Sequence, residues 1–272
     1  MRKGATNLIH RVYHKIVKSG NVTEVYSYEN GVKVGEQMPA GHNVKKDNGE
    51  MTKEERQTRD KLNLERSLSR TIRNLRRSIN ANIGAWGNYF PKFMTLTFKQ
   101  NIKDHATANG EFKRFIQRLN YHVTGEKRTV LKYTCVVERQ KRGAIHYHVI
   151  FYNLPYIAFN ELLGVWQHGN EQRGLRINAI KEIDNVGSYV TKYISKEIQV
   201  LRDGKGGERE KEKKIYFQSR GLVKPIEKET DEKEIKLLLE NLSEKDKIFE
   251  SEFENEYVGK IKYKQIREVE EG

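Results

Sequence analysis

The middle of the sequence predicts an α+β fold, an antiparallel sheet with helices on its faces. Two observations within residues 90–200 lead to this prediction. Short runs of β-branched and aromatic residues, typical of strands, alternate with segments whose apolar residues recur at helical spacing. Their order is βαββαβα, which indicates two αβ units around one sheet and therefore a fold of ferredoxin-like type.

Each element follows from its local pattern. A polar turn at 139–143 joins two strands into a hairpin and ends in glycine, which suits a tight reversal. The predicted elements, in chain order, are a strand at 93–98, a helix containing Phe112, Phe115, Ile116 and Leu119, strands at 130–138 and 144–152, a helix containing Phe159, Leu162, Leu163 and Trp166, a strand at 174–180, and a helix at 185–197.

The flanking segments are patterned differently. Glu29-Asn30-Gly31 predicts a hairpin turn, and a long helix is predicted over 53–85. Residues 226–272 are charged and predict a helical tail, which would serve oligomerisation, bind a partner or pack on its own domain. We therefore expect a basic N-terminal region at 1–88, a central α+β domain at 89–225 and the tail at 226–272. The apolar stripe of the long helix comprises Leu68, Ile72, Leu75, Ile79 and Ile83.

The charge distribution favours a nucleic-acid partner. The chain has a net charge of +14, and residues 1–200 hold 34 basic and 18 acidic residues. Such an excess attracts phosphate, so we expect affinity for DNA to fall steeply with salt. The alternative is that the excess only keeps the protein soluble. The basic side chains expected to contact DNA are Arg70, Arg73, Arg77, Arg139, Lys141, Arg142 and Arg220; those on the long helix could equally form a solvated face.

Composition also excludes several classes of protein. The single cysteine, Cys135, excludes a disulfide framework and a CxxC zinc module. No apolar stretch approaches the roughly 18 residues that a membrane span needs. The N-terminal segment lacks the continuous apolar run of a signal peptide. We therefore expect a soluble, cytoplasmic protein that does not associate with a membrane.

The first candidate site consists of Glu138, His146 and His148. Residues two apart in a strand point to the same face, so both histidines project together. If 139–143 form the loop, Glu138 faces Ala144 and lies diagonal to His146 on the histidine face. Two imidazoles and a carboxylate suit Mg²⁺ or Mn²⁺ when a substrate supplies phosphate oxygens, although Zn²⁺ would also bind. The alternative is two ordinary sheet histidines satisfied by hydrogen bonds.

The second candidate site holds two overlapping Tyr-x-x-Lys pairs, Tyr189 with Lys192 and Tyr193 with Lys196. On a helix, the two tyrosines share a face and each has a lysine nearby. A phenol with a pKa of about 10 is a weak nucleophile, but a neighbouring cation favours the phenolate. The pattern indicates covalent catalysis by tyrosine on a phosphodiester. The alternative is an amphipathic helix with aromatic residues in the core and lysines in water.

Together these motifs resemble the HUH endonucleases, specifically the two-tyrosine rolling-circle replication initiators of single-stranded DNA phages and plasmids. Three motifs match in the family's order, and a fourth resembles a segment found downstream in related initiators. The resemblance covers residues 90–225. The matching segments are FMTLTF at 93–98, RGAIHYH at 142–148, YVTKY at 189–193 and YFQSRGLVKP at 216–225.

The resemblance implies that His146, His148 and Glu138 bind Mg²⁺ or Mn²⁺. It implies that Tyr189 or Tyr193 attacks single-stranded origin DNA, giving a 5′-phosphotyrosine and a free 3′-hydroxyl that primes synthesis. Lys192 and Lys196 would steady the phosphate or the phenolate. The sequence has no Gly-x-x-x-x-Gly-Lys-Ser/Thr loop, so a helicase and a DNA polymerase would come from the bacterial host.

Four other functions fit parts of the sequence. A relaxase or a single-strand transposase would use the same chemistry, although the paired tyrosines favour an initiator. A non-catalytic binder would stack bases on an RRM-like sheet, but no RNP-type run is present. A metal-dependent hydrolase would use water as its nucleophile, and loss of a covalent adduct on changing both tyrosines separates the two mechanisms.

Overall fold

The computed structural model describes residues 10–35, 52–140, 143–169, 174–180, 186–191, 215–240 and 247–267. The chain forms two compact units. The central unit is Glu65–Lys224, and the terminal unit combines Met1–Leu64 with Pro225–Gly272. The two ends of the chain thus belong to one unit, whereas the sequence predicts them as separate flanking regions.

The central unit contains a five-stranded antiparallel sheet. Its elements are β3 (Lys92–Thr97), α2 (His105–Thr124), β4 (Tyr133–Arg139), β5 (Ile145–Phe151), α3 (Phe159–Trp166), β6 (Leu175–Ala179) and β7 (Tyr216–Gln218). The strands lie in the order β6-β3-β5-β4-β7. The first four have the order of a ferredoxin-like βαββαβ unit, and β7 is added at the edge beyond β4. The predicted α+β fold is therefore confirmed.

One face of this sheet carries the main hydrophobic core. Alternate residues of the strands point to α2 and α3, which cover this face with Phe115, Leu119 and Trp166. Tyr147 points the same way, as predicted, and its hydroxyl donates to Asn109 Oδ1 at 2.7 Å. Burial raises its pKa well above that of a free phenol. The opposite face is therefore left for polar side chains.

Two helical segments lie at that opposite face. The helix α1 (Lys53–Asn82) is close to its predicted range, and its stripe buries Leu75 and Ile79. Residues 186–191 are also helical. The two segments approach closely at Gly187, whose N–H donates to Asn80 Oδ1 at 2.7 Å. A Cβ on Gly187 would collide with the Arg76 carbonyl oxygen, so this approach requires glycine.

The terminal unit contains a second antiparallel sheet. Its strands are β1 (His10–Ser19), β2 (Val22–Val34), β8 (Ile226–Thr230), β9 (Lys247–Asn255) and β10 (Gly259–Arg267). They lie in the order β8-β1-β2-β10-β9. The helix α4 (Glu232–Glu240) buries Ile235 against Val25 and Ile266. Among the described residues, no helix is long and apolar enough to cross a membrane.

The predictions for the N- and C-terminal flanks were wrong in two respects. The hairpin turn is Gly20-Asn21, because Ser19 pairs with Val22, and Gly31 lies inside β2. The tail is helical only in α4 and otherwise forms strands where it is described. Its last segment alternates buried Ile261 with exposed Lys262, which is the period-two pattern of a half-buried strand. A Gly-Asn pair between β-prone runs is a known hairpin signal, so the position of the turn could have been predicted from the sequence.

Candidate functional site

The strand β5 places His146 and His148 on the polar face, with exposed fractions of only 6% and 4%. This confirms that the two histidines share a face. Glu138 joins them, but it pairs directly with His146 rather than with Ala144. The ladder extends to the pair Arg139–Ile145, beyond which Gln140 N–H donates to the Ala144 carbonyl at 2.8 Å. A register change of this kind keeps side-chain parity, which is why Glu138 remains on the predicted face.

Glu138 contacts His148, which lies diagonally opposite it across β4 and β5. Its Oε2 lies 2.5 Å from His148 Nε2, and the two side chains are 15% and 5% exposed. A proton on Nε2 donates to the carboxylate in this arrangement. The contact shows that one carboxylate and one imidazole ring of the candidate site already lie within bonding distance of each other.

The strand β3 supplies two hydroxyl groups to the imidazoles. Thr95 Oγ1 lies 3.2 Å from His148 Nδ1, and Thr97 Oγ1 lies 3.4 Å from His146 Nδ1. Gln140 Nε2 also lies 3.2 Å from His146 Nδ1. A threonine hydroxyl both donates and accepts, so it can serve either tautomer of the ring. Outer partners of this kind orient histidines whose other nitrogen binds a metal.

The described residues contain no cluster of three His, Cys, Asp or Glu side chains already spaced to hold a metal ion. Glu138 Oε2 and His148 Nε2 lie 2.5 Å apart, whereas ligand atoms that share an ion with bonds of about 2.1 Å lie roughly 3 Å apart. The donor set and its orientation nonetheless suit a divalent ion.

Tyr189 is connected to the histidines through an aromatic ring. Phe93 stacks on His148 with ring centroids 5.8 Å apart and planes 6° apart. The ring of Tyr189 meets Phe93 edge-on, at 5.8 Å and 76°. Tyr189 is 36% exposed, so its ring touches the site while part of its surface faces solvent. The other predicted members of this group, Lys192, Tyr193 and Lys196, lie outside the described residues.

Besides Gln140, three participants in this site were not singled out from the sequence. They are Phe93, Thr95 and Thr97, which alternate along β3 opposite the histidine strand. The signal that could have found them is strand parity within the segment 93–98. Until the pairing of β3 with β5 is known, however, that parity does not say which face of β3 meets the histidines.

The predicted DNA-contacting side chains are distributed unevenly. Arg70, Arg73 and Arg220 are exposed. Arg77 is only 6% exposed, because its helical position turns it inward, so its contact with DNA stays a prediction. Arg139 is half-buried, with a guanidinium nitrogen 3.0 Å from His105 Nε2. Lys141 and Arg142 lie outside the described residues.

His168 belongs to a different group of side chains. Its Nε2 lies 3.2 Å from Glu111 Oε2, and its ring packs against Trp166 and Phe98 on the core side of the sheet. Hydrogen bonds from Arg114 and His168 lower the pKa of Glu111. This second glutamate–histidine pair therefore lies on the face opposite the candidate site.

Comparison with known proteins places the candidate site inside a matched segment. No curated protein and no solved structure matches the chain. Residues 91–198, less than half of the chain, match a family described as replication-associated proteins of the ORF2 type. This segment includes the sheet face with both histidines, Glu138 and both tyrosines. The matched segment is therefore similar to replication-associated proteins.

Proposed function

We propose that the protein initiates rolling-circle replication by nicking single-stranded DNA at an origin, with Tyr189 or Tyr193 as the nucleophile. The observation that carries the proposal is the arrangement of Glu138, His146 and His148 on one sheet face, beside a partly exposed tyrosine. The family match over residues 91–198 supports the same assignment. A nickase needs a group that activates the phosphate and a nucleophile beside it, and this face offers both.

The reaction transfers a phosphodiester from a nucleotide to the tyrosine and back. The phenolic oxygen forms a bond to phosphorus and loses its proton to solvent or to a neighbouring base. The bond between phosphorus and the 3′-oxygen breaks, and that oxygen takes up a proton. The products are a 5′-phosphotyrosine link and a free 3′-hydroxyl, which a host polymerase would extend on template exposed by a host helicase. Attack by a 3′-hydroxyl on the link reverses the step and closes a circle.

His146, His148 and Glu138 would hold a Mg²⁺ or Mn²⁺ ion. Such an ion would polarise the scissile phosphate and stabilise the charge that develops on it. The protein's own residues supply orientation. Thr95 and Thr97 contact the Nδ1 sides of the two rings, and His148 Nε2 faces the Glu138 carboxylate. In our proposal, Lys192 and Lys196 bind the phosphate or favour the phenolate.

The proposal is tested by searching for a protein–DNA adduct that survives SDS. Supercoiled and single-stranded DNA of many sequences are incubated with the protein, with Mn²⁺ or with EDTA. The wild type is compared with Tyr189→Phe, Tyr193→Phe, the double variant and His148→Ala. A metal-dependent adduct that disappears in the double variant supports the nickase, and the single variants identify the nucleophile.

Two outcomes would overturn the proposal. Cleavage that persists in the double tyrosine variant would indicate a hydrolase that uses water. DNA binding without any adduct, on every DNA tested, would indicate a non-catalytic binder.

A further inference from the structure

A groove lies on the core side of the central sheet, on the opposite face from the histidines. It runs between α2 and the edge formed by β4 and β7, and its volume is about 880 Å³. Aromatic rings form part of its wall: Phe112 packs against Tyr133 and Phe217, with ring centroids 5.8 and 4.9 Å apart. Tyr133 and Phe217 are half-buried, so each ring keeps an accessible surface. The groove therefore offers flat apolar surfaces to a ligand.

The groove is lined by one histidine and by three cationic side chains. They are His105, Lys113, Lys132 and Arg220, and among the described residues no aspartate or glutamate lines it. Lys113 and Arg220 are exposed. Lys132 Nζ donates to the Arg220 carbonyl at 2.8 Å and lies 4.8 Å from the ring of Trp86, so it is held at the rim. A rim of this charge is complementary to phosphate.

The edge strand β7 separates this groove from the candidate site. Phe217 points into the groove, whereas the side chain of Gln218 bonds Thr134 on the polar face, at 2.9 Å. Because β7 spans only Tyr216–Gln218, a flexible polymer needs little length to pass around it. Arg220 follows directly after this strand, at the turn where such a polymer would cross.

We propose that this groove binds a segment of single-stranded DNA that continues from the cleavage site around β7. Phosphates would contact Lys113, Lys132 and Arg220, and a base would pack on Tyr133 or Phe217. Aromatic stacking beside a basic groove is the usual basis of single-strand binding without sequence preference. An acidic peptide would satisfy the charge but would leave the aromatic surfaces without a planar partner. The inference rests on the proposed function, because it takes DNA as the substrate.

The probe is a ~30-nucleotide single strand, longer than one ordinary binding site of about 4–16 nucleotides, that carries iododeoxyuridine. Ultraviolet cross-linking followed by peptide mapping identifies the aromatic residues that stack on its bases. The expected result is a cross-link to Tyr133 or Phe217. Affinity is measured in parallel by fluorescence anisotropy over a range of salt concentrations.

The test variant is Lys113→Glu/Arg220→Glu, and its matched control is Lys233→Glu/Lys236→Glu on α4, whose two lysines are exposed. Both change the net charge equally. The groove variant is expected to weaken binding and to make the slope of log affinity against log salt about 1.4 shallower, for two lost phosphate contacts. Tyr133→Leu keeps an apolar side chain and is expected to lower affinity about tenfold through lost stacking.

The two proposals fail in different ways. The groove proposal is overturned if no cross-link forms in the groove and the groove variant and its control bind DNA with equal affinity. This holds even if the tyrosine adduct forms. A groove cross-link without any adduct overturns the nickase and leaves the groove as a DNA-binding site. Binding of an acidic peptide that competes with the DNA, with no cross-link to Tyr133 or Phe217, would assign the groove to a protein partner.

Discussion

Glu138 and His148 meet diagonally across β4 and β5, with Oε2 2.5 Å from Nε2. Both side chains are almost buried, so the contact is shielded from water. In a low-dielectric environment, removing one member of such a polar pair leaves the other buried without its hydrogen-bond partner, which is strongly destabilising. In our proposal, Glu138 and His148 would instead be two of the ligands of a divalent ion.

The first prediction concerns the carboxylate. Glu138→Gln keeps the shape of the side chain but removes the charge that attracts an ion. Loss of an outer partner costs about 10–100-fold in metal affinity, so loss of a direct ligand is expected to cost at least about tenfold. The measurement is Mn²⁺ binding by calorimetry, with circular dichroism to confirm that the fold is intact.

The matched control for this prediction is Glu111→Gln. Glu111 forms another glutamate–histidine pair in the central unit, 3.2 Å from His168 Nε2 on the core side of the sheet. This variant is expected to bind Mn²⁺ as tightly as the wild type. Equal losses of affinity in both variants would show that the metal does not distinguish the two pairs, and the assigned site would be abandoned.

The second prediction concerns the hydroxyl beside His148. Thr95→Val replaces Oγ1 with a methyl group of similar size, so the imidazole loses its partner at 3.2 Å without a change in packing volume. Mn²⁺ affinity is expected to fall about tenfold. Thr95→Ser retains the hydroxyl and is expected to keep most of the wild-type Mn²⁺ affinity. If valine and serine give the same affinity, Thr95 has no role in orienting the ring.

The sequence predicted the central fold and the shared face of Glu138, His146 and His148, because both depend on periodicities that act locally. The strand pattern also placed Tyr147 in the core. Pairing between distant strands is not local, and this is why Phe93, Thr95 and Thr97 could not be assigned to the site before β3 was known to lie beside β5. The fold supplies that neighbour relationship.

The differences between prediction and structure outside the central fold have physical causes too. Arg77 was predicted to contact DNA because it lies among other arginines, but its helical position turns it inward, to 6% exposure. The C-terminal tail was predicted as helical from its charge and its leucines. Its last strand pairs with β2 across most of the length of the chain, through contacts such as Tyr263 opposite Tyr26, which no local window can show.

The third prediction concerns the close approach at Gly187. Gly187→Ala would drive a methyl group into the Arg76 carbonyl, so the helical residues 186–191 must shift away from α1. Overpacking of this kind costs about 1–3 kcal/mol in the free energy of unfolding. Because Tyr189 lies on the same short helix, adduct formation is expected to fall as well. Both quantities are measured, by urea unfolding and by the SDS assay.

The matched control is Gly164→Ala in α3. A Cβ there would meet no atom within 4 Å, so the substitution adds helix propensity without a clash. The free energy of unfolding is expected to rise by about 0.5–1 kcal/mol. If both variants change the free energy of unfolding in the same direction, the close approach to α1 is not the reason that position 187 requires glycine.

The fourth prediction concerns alkaline pH. Burial raises the pKa of Tyr133 to about 12, against about 10 in the unfolded chain. Between these values the native state binds the proton that the unfolded state has lost, so the free energy of unfolding falls as pH rises from about 10. Tyr133→Phe is expected to make that fall shallower in urea unfolding. Tyr156→Phe, at an 86% exposed position, is expected to leave it unchanged, and an identical effect of both would contradict the assignment.

The fifth prediction concerns the ring between the imidazole and the tyrosine. Phe93→Leu keeps an apolar side chain but removes the flat surface that stacks on His148 and meets Tyr189. A displacement of about 1 Å between reacting groups can cost about 100-fold in rate, so adduct formation is expected to slow by about tenfold or more. The control is Phe90→Leu, at a position that is 58% exposed. The slower reaction could come from a disturbed His148 or from a displaced Tyr189, and Mn²⁺ affinity distinguishes the two. An unchanged Mn²⁺ affinity with slower adduct formation would indicate that Tyr189 is displaced. A Phe93→Leu rate equal to that of Phe90→Leu would show that the two groups need no ring between them.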